Sequence, residues 1–233
     1  MGQFHEGLAW AQLDGEYGYV NKSGDTTIVP QFAGAMDFSD GYAQVWNDTA
    51  WGYINTTGKL EIDYQYQGSR PFKNGFAAVM MDTLWGFINA QNDTVIQPKY
   101  LWAGSFDEEG FAAVRFPKYS LYGYVDNKGK VIIPGKFEAA GHFSEGLAAV
   151  KVDTLWGFVD KRGEFVIEPQ FFSVREFHDS RAAVKDQDGK WGYIDKTGKE
   201  VIPPRFDEAG DFREGLAIVN RRGRWAWIRT NGG

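Results

Sequence analysis

The chain has 233 residues, of which 43% are hydrophobic, 24% charged and 16% aromatic, a composition typical of globular proteins and not of disordered ones. Its 29 glycines against 8 prolines, together with the many aromatic residues, favour strands and tight turns. The absence of cysteine excludes disulfides, thiolate nucleophiles and thiolate metal ligands. No apolar run approaches the ~20 residues of a membrane-spanning helix, so we expect no membrane insertion.

The net charge of −6 argues against nucleic acid as a partner, since that binding depends on clustered Lys and Arg. The charge is uneven: residues 1–116 hold 6 basic and 14 acidic side chains, whereas residues 117–233 hold 19 and 17. We therefore expect one end of an elongated molecule to be acidic. Met1 and Gly2 almost directly precede the first repeat, as in a trimmed fragment of a longer protein. If the chain is such a fragment, we expect an extracytoplasmic location.

A phenylalanine recurs along the whole chain at spacings of 34, 34, 34, 37, 34 and 35 residues. This Phe column consists of Phe4, Phe38, Phe72, Phe106, Phe143, Phe177 and Phe212. A fixed period of this size is the signature of a solenoid, propeller or array. We predict one repeat domain over residues 1–233, with repeats at 4–37, 38–71, 72–105, 106–142, 143–176 and 177–211 and a half repeat at 212–233.

After each Phe and a polar turn comes a short run such as Leu147-Ala148-Ala149-Val150, which we name strand A. Its alternating small and β-branched residues indicate a strand. One position is alanine in every copy: Ala9, Ala43, Ala77, Ala112, Ala148, Ala182 and Ala217. An invariably small side chain predicts that another segment packs closely over it.

Strand B carries an aromatic-Gly-aromatic motif, as in Trp156-Gly157-Phe158. Two residues apart on a strand, the two rings point to one face, and the glycine leaves a notch on the other face where a backbone or ring can approach. The first ring of each copy forms the Trp column: Tyr17, Trp51, Trp85, Tyr122, Trp156, Trp191 and Trp225. We expect this column to be the buried core of the repeats.

Strand B ends in a turn closed by Gly24, Gly58, Gly129, Gly163, Gly198 and Gly232, with Asn92 in the third copy. Because Asn is the other residue that tolerates the left-handed conformation, the exchange predicts a positive φ at this position. Strand C follows with an invariant isoleucine and then usually a proline, which is expected to mark the strand's end or an edge.

Three strands and three turns fill 34 residues, so we predict an all-β fold of three-stranded units stacked as an open superhelical β-solenoid. The alternative is a closed, propeller-like ring of six to seven blades. A ring often completes its last blade with a strand from the other terminus, whereas here strands A and B occur seven times and strand C six, so both termini show the same half unit.

These motifs resemble the bacterial WG-repeat family, whose hallmark is Trp-Gly followed by an aromatic and an aliphatic residue, here Trp85-Gly86-Phe87-Ile88 and Trp191-Gly192-Tyr193-Ile194. The resemblance covers essentially the whole chain. It implies tandem β-repeats in a bacterial protein and a binding role, and it brings no catalytic residues.

Residues with reactive or charged side chains occur without the spacing of a catalytic, phosphate-binding or zinc motif. His5, His142 and His178 lie in polar turns, as does an acidic row consisting of Glu6, Asp40, Glu108, Glu145, Asp179 and Glu214. Arg221, Arg222, Arg224 and Arg229 form a basic cluster. We expect the histidines to be solvated turn residues, the acidic row to be a soluble edge that discourages strand pairing, and the basic cluster to be a solvated hairpin. We therefore predict no enzyme activity, no metal and no cofactor.

Apolar residues in repeats two to four occupy columns that are polar in the other copies. They are Trp46, Met80, Met81, Leu101, Trp102 and Phe116. Stacking does not require an apolar residue in a polar column, and exposed apolar patches with Trp and Met mark interaction sites. We predict that these residues bind a protein or peptide partner. The alternative is glycan or cell-wall binding through exposed Trp residues, and inward repacking of the six side chains is the structural alternative.

Overall fold

The computed structural model describes the whole chain, Met1–Gly233, and contains 26 β-strands in seven antiparallel sheets. The predicted all-β class is confirmed. None of the chain is helical, so no helix is present that could cross a membrane.

The sheets follow one another in chain order. The first has three strands: β1 (Leu8–Leu13), β2 (Glu16–Asn21) and β3 (Thr26–Phe32). The second has β4 (Gly34–Ala35), β5 (Tyr42–Trp46), β6 (Trp51–Asn55) and β7 (Leu60–Tyr66). The third has β8 (Gly68–Ser69), β9 (Phe76–Met81), β10 (Leu84–Asn89) and β11 (Thr94–Tyr100). The fourth has β12 (Trp102–Ala103), β13 (Phe111–Arg115), β14 (Tyr122–Asp126) and β15 (Val131–Phe137).

The remaining three sheets repeat this order. The fifth has β16 (Ala139–Ser144), β17 (Leu147–Val152), β18 (Leu155–Val159) and β19 (Phe165–Phe171). The sixth has β20 (Ser173–Val174), β21 (Ala182–Lys185), β22 (Trp191–Ile194) and β23 (Glu200–Phe206). The seventh has only β24 (Glu208–Ala209), β25 (Leu216–Arg221) and β26 (Arg224–Arg229).

Five of the seven sheets have four strands, which corrects the predicted three-stranded unit. The additional strand, here named the leading strand, precedes strand A and is usually two residues long, as in β4, where Gly34 pairs with Trp46 and Ala35 with Val45. A strand of two residues is too short to show an alternating pattern of side chains, so the sequence does not reveal the leading strand. The sheets are therefore offset from the repeats chosen at the Phe column.

The chain folds into two compact units. The first comprises Met1–Phe106, Val114–Pro117 and Asn127–Lys130, and the second Asp107–Ala113, Lys118–Asp126 and Val131–Gly233. The choice between an open solenoid and a closed ring stays a prediction.

Each sheet has one face of large rings and one face of small residues. In the second sheet, Trp46 is opposite Trp51 and Gln44 opposite Tyr53 on the ring face, while Ala43 is opposite Ile54 on the alanine face. Ala43 and Ile54 belong to a buried cluster with Tyr19 of the first sheet. The ring face of one sheet thus packs on the alanine face of the next, which explains the invariant alanine.

The centre of each contact is a Phe-column ring packed on the second aromatic of the strand B motif in the preceding sheet. Phe38 lies 4.8 Å from Tyr19 between ring centroids, Phe72 4.9 Å from Tyr53, and Phe158 4.8 Å from Phe177. The same spacing of 4.8 Å recurs for Phe87 with Phe106, Tyr124 with Phe143 and Tyr193 with Phe212. All twelve rings are at most 2% exposed.

The Trp column lies further out than expected. Tyr17, Trp51, Trp85, Tyr122, Trp156 and Trp191 are half-buried, and Trp225 is 55% exposed. Trp51, Trp156 and Trp191 pack against the buried clusters from the side. The deepest layer is instead the second aromatic of each motif, because the Phe of the following repeat covers that ring.

The glycine of strand B receives the backbone of strand C, as the notch predicted. A Cβ on Gly18 would lie 2.4 Å from the Ile28 carbonyl oxygen, and one on Gly157 2.5 Å from that of Ile167. Strand C bulges at this point, because its register shifts between Trp156 and Phe158. Proline is tolerated inside the bulge, so Pro30 lies within β3 and does not mark its end.

The predicted positive φ after strand B is confirmed, with 85° at Gly58 and 66° at Asn92. The glycine also makes room for the preceding sheet: a Cβ on Gly58 would lie 2.9 Å from Ile28, and one on Gly163 2.9 Å from Ile133. A side chain at these positions would meet both backbone strain and a steric clash.

The acidic row binds backbone amides of the following repeat. Four residues of the row, and Glu109 beside Glu108, each accept a hydrogen bond from the turn amide one repeat on, in the pairs Glu6 with Gly41, Asp40 with Gly75, Glu109 with Gly146, Glu145 with Ser180 and Asp179 with Gly215. We call this series the carboxylate ladder. In the fourth repeat the ladder residue is Glu109 and not the predicted Glu108, because the turn there is one residue longer.

Lysines reinforce the ladder in the second unit. The Lys161 ammonium is 2.8 Å from Glu109, and Lys196 is 3.0 Å from Glu145. Partial burial would raise the pKa of Glu109, but the hydrogen bonds donated by Lys161 and the Gly146 amide outweigh burial and lower that pKa.

The Phe column predicts unequal costs of truncation. Phe177→Ala should lower the free energy of unfolding by about 3–5 kcal/mol, the usual cost of removing a wholly buried ring. Phe4→Ala, in the same column but with a ring that is 41% exposed, should cost less than half as much. Urea denaturation measures both, and equal costs would contradict the inter-sheet role of the column.

The carboxylate ladder predicts that the free energy of unfolding depends on pH, and that Glu109→Gln reduces this dependence. Because the pKa of Glu109 is lowered in the folded state, its contribution is present above the unfolded pKa and is lost as pH falls through the folded value. Glu109→Gln should therefore unfold at lower urea concentration than the wild type at pH 7, with a smaller difference at pH 3. Glu168→Gln, at an exposed carboxylate outside the ladder, serves as control. A Glu109→Gln deficit that does not shrink in acid would rule out this contribution.

Candidate functional site

The predicted binding residues lie near the hairpin that joins strands A and B. Cross-strand pairs place Trp46 opposite Trp51 and Met80 opposite Trp85 on the ring faces of the second and third sheets. Met80 is also opposite Gly68 on its other side, and Trp102 is opposite Arg115. The strand pairings therefore agree with the alignment of repeats inferred from the sequence. Trp46 and Trp102 lie on equivalent faces of their own sheets. Both rings are half-buried.

An arginine joins two of the tryptophans. The guanidinium carbon of Arg70 lies 5.4 Å from the Trp85 ring centroid and 5.3 Å from that of Trp102. Both distances are within the range of a cation–π contact. Trp85 in turn reaches across its sheet, since a Cβ on Gly68 would lie 3.2 Å from the edge of its ring. A side chain on Gly68 would displace the ring.

The backbone of Arg70 is fixed at both polar groups. Its N–H donates to the Ala78 carbonyl at 2.9 Å, and its carbonyl accepts from the Tyr53 hydroxyl at 2.8 Å. Burial raises the pKa of Tyr53 well above its ordinary value, so the phenol stays neutral and remains a donor. The Arg70 Nε is buried and has no acceptor, and the residue as a whole is half-buried.

Four side chains thus form what we name the arginine patch: Arg70, Met80, Trp85 and Trp102. Leu101 precedes Trp102 and is 40% exposed. Its amide donates to the Arg115 carbonyl, which holds the two apolar residues at the sheet edge. The patch presents a cation flanked by apolar surface.

The other predicted residues take different positions. Met81 packs against the buried cluster that contains Tyr66 and Phe72, and Phe116 packs edge-on to buried Tyr100 at 5.4 Å. These two side chains fill space between sheets, as the repacking alternative proposed. Trp46 packs on Trp51 at 5.3 Å and over Gly34, in the second sheet.

The second unit contains a single-ring counterpart of the arginine patch. Arg175 occupies the position of Arg70 and lies 5.8 Å from the Trp191 centroid, with Lys185 at 5.8 Å from the same ring. The counterpart of Met80 is thus a lysine, which pairs with Ser173 as Met80 does with Gly68, and the position of Trp102 in the following sheet is occupied by Glu208.

The histidines do not assemble a metal site. His142 and His178 approach Glu176 at 3.8 and 4.0 Å, but no cluster of three or more His, Cys, Asp or Glu side chains is placed to hold an ion. A cleft of about 320 Å³ nearby is lined by Trp156, Arg175, Glu176 and Asp211 among others. It is open to solvent.

Arg70 and Trp85 were not among the predicted binding residues, and Trp85 was expected only in the structural core of the repeats. Trp85 belongs to a regular column, so comparison between copies did not single it out. Arg70 follows the leading strand at a position occupied by Met36, Gly104, Gly141 and Gly210 in other copies, and this irregularity is the signal that could have identified it.

A model of the WG containing repeat matches residues 17–45, 51–83, 85–116, 122–154, 156–191 and 191–225. The chain belongs to this WG-repeat family. The matched segments begin at the Trp column rather than at the Phe column. No curated protein matches the chain.

Solved structures similar to this WG-repeat chain share its fold at low identity. BamB from Moraxella catarrhalis is 9% identical, with a TM-score of 0.54 over 94% of this chain and 80% of that one. Hsv2 of Kluyveromyces lactis is 8% identical, with a TM-score of 0.52 over 97% and 87%. The dihydro-heme d1 dehydrogenase NirN is 9% identical, with a TM-score of 0.54 over 93% and 59%. The structural neighbours are β-propeller or WD40-like proteins, and the likeness concerns the fold alone.

The two stacked rings predict that Arg70 contributes more to stability than Arg175. Arg70→Met keeps the apolar stem and removes the guanidinium, so it should cost about 1–2 kcal/mol at about 0.5–1 kcal/mol per cation–π contact. Arg175→Met, which loses one ring contact, should cost about half as much. Chemical denaturation of both variants measures the difference. Equal losses would show that the second ring adds nothing.

Proposed function

We propose that this WG-repeat chain is a non-enzymatic binding module that holds a protein or peptide partner at the arginine patch. The observation that carries the proposal is the guanidinium of Arg70 held between Trp85 and Trp102. A planar guanidinium matches a carboxylate through paired N–H donors. Stacking on two rings fixes its orientation before binding and so reduces the entropy that a partner must overcome.

The chemistry beside the cation specifies the partner further. Met80, which lies opposite Trp85, supplies an adaptable apolar contact, so the recognised segment carries a carboxylate next to an aliphatic or aromatic side chain. The first 116 residues are acidic overall, and this field repels a partner that is acidic throughout. A segment with one carboxylate among neutral or basic residues fits both features.

The arginine also favours a peptide over the glycan alternative. Sugar rings stack on open indole faces, but here the guanidinium of Arg70 occupies the space beside both rings. A glycan would have to displace it.

Selection of short peptides from a random displayed library tests the proposal. The enriched sequences should pair Asp or Glu with an apolar residue, and their binding should perturb Trp fluorescence. Arg70→Met should weaken binding by about tenfold or more, since hydrogen bonds to charged groups contribute about 1.5–3 kcal/mol. Arg175→Met, at the equivalent position of the second unit, should bind as the wild type does.

Two outcomes would contradict the proposal. One is enrichment of peptides that bind Arg70→Met and the wild type equally. The other is saturable quenching of the Trp fluorescence by neutral oligosaccharides, which would favour the glycan alternative.

A further inference from the structure

The ring face of the seventh sheet is exposed where the ring faces of the other sheets are covered. Trp227, which occupies the second aromatic position of its motif, is 66% exposed, whereas Tyr193 at the same position is fully buried. Strand pairing places Trp227 opposite Ile218 and Leu216 opposite Arg229. Leu216 and Ile218 are 41% and 37% exposed. Four apolar side chains therefore lie together on one uncovered face: Leu216, Ile218, Trp225 and Trp227.

In earlier sheets the same positions receive the Phe column of the next repeat. Phe72 packs on Tyr53 at 4.9 Å and on Tyr42 at 4.8 Å, and Phe143 packs in the same way on Tyr124 and Phe111. The counterparts in the seventh sheet are Trp227 and Leu216. Together with Gly210 and Ile218 they line an open cleft of about 370 Å³, which is large enough for a phenyl ring.

The first sheet presents the matching surface. Phe4 is the one member of the Phe column that is exposed, at 41%, and Leu13, at the end of β1, is 61% exposed. The carboxylate ladder ends in the same two places. The Gly7 amide occupies the position of Gly41, which binds Glu6, and Glu214 occupies the position of Asp179, which binds Gly215. One surface lacks a Phe and has a carboxylate; the other has a Phe and a turn amide.

Charge favours the same pairing. Residues 1–33 contain four carboxylates and one lysine, whereas residues 212–233 contain five arginines and one glutamate. Opposite charges on two surfaces steer them together and oppose the pairing of either surface with itself.

We propose that copies of this chain associate head to tail, with Phe4 of one copy in the Leu216–Trp227 cleft of another. Glu214 then accepts a hydrogen bond from the Gly7 amide of the second copy, which continues the carboxylate ladder across the contact. The interface is heterologous, because two different surfaces meet, so each copy retains one free surface of each kind and assembly proceeds beyond a dimer.

Sedimentation velocity over a wide range of protein concentration tests this proposal. The weight-average mass of the wild-type chain should rise with concentration and fall when salt is added. Trp227→Glu and Phe4→Lys, at opposite surfaces, should each stay monomeric. Tyr119→Glu is the matched control, since Tyr119 is 67% exposed outside both surfaces, and it should associate as the wild type does. Circular dichroism checks that each variant is folded.

Mixing the two blocked variants gives the decisive result. Trp227→Glu keeps an intact first sheet and Phe4→Lys an intact seventh sheet, so the mixture should form a 1:1 dimer that does not grow. A wild-type chain that remains monomeric at every concentration overturns the proposal. So does association that survives both substitutions, or a mixture that stays monomeric while the wild type associates.

Discussion

The structure depends on one recurring contact, the phenylalanine at the start of each repeat packed on the second aromatic of the preceding repeat. Six such pairs lie at centroid distances of 4.8–4.9 Å and are almost fully buried. A four-stranded sheet of this size cannot bury its own rings, so each is stable only with a neighbour. The invariant alanine, the strand B glycine and the turn glycine all follow, because each gives a ring or a backbone room to approach. Tyr53 adds a hydrogen bond to the next sheet through its hydroxyl.

Side chains outside this contact are free to vary, and the two halves of the chain differ there. In the second unit, lysines pair with the carboxylate ladder. In the first unit, the corresponding positions hold Thr56 and Ala90, so Glu6 and Asp40 bind only backbone amides. The charge asymmetry of the sequence thus corresponds to a difference in how the repeats are joined. The arginine patch is a second difference on the same scaffold, because Trp102 replaces a small or polar residue at the edge of its sheet.

Much of the fold follows from the sequence, because the repeat reports each requirement several times. The Phe and alanine columns, the positive φ at Asn92 and the notch at Gly157 were all predictable from residue type and period. The burial of the Trp column was not, since a period of two places Trp156 and Phe158 on one face without showing which of them the next sheet covers. The leading strands were too short for a pattern, and the longer turn at Glu108 and Glu109 shifted the acidic row. For the candidate site, Met80, Leu101 and Trp102 could be predicted because they are apolar in columns that are polar in other copies. The role of Arg70 could not, because it contacts rings from two sheets, and neither could the inward orientation of Phe116.

Ring-on-ring packing couples neighbouring sheets. A double-mutant cycle between Phe87 and Phe106, each replaced by Leu, measures this coupling directly. The predicted interaction free energy is about 0.5–1.5 kcal/mol beyond the two single losses, the usual value for an aromatic pair. The same cycle between Phe38 and Phe106, which belong to different pairs, should be additive within about 0.5 kcal/mol. Additivity for Phe87 and Phe106 as well would contradict this coupling, since the rings would then contribute only their own burial.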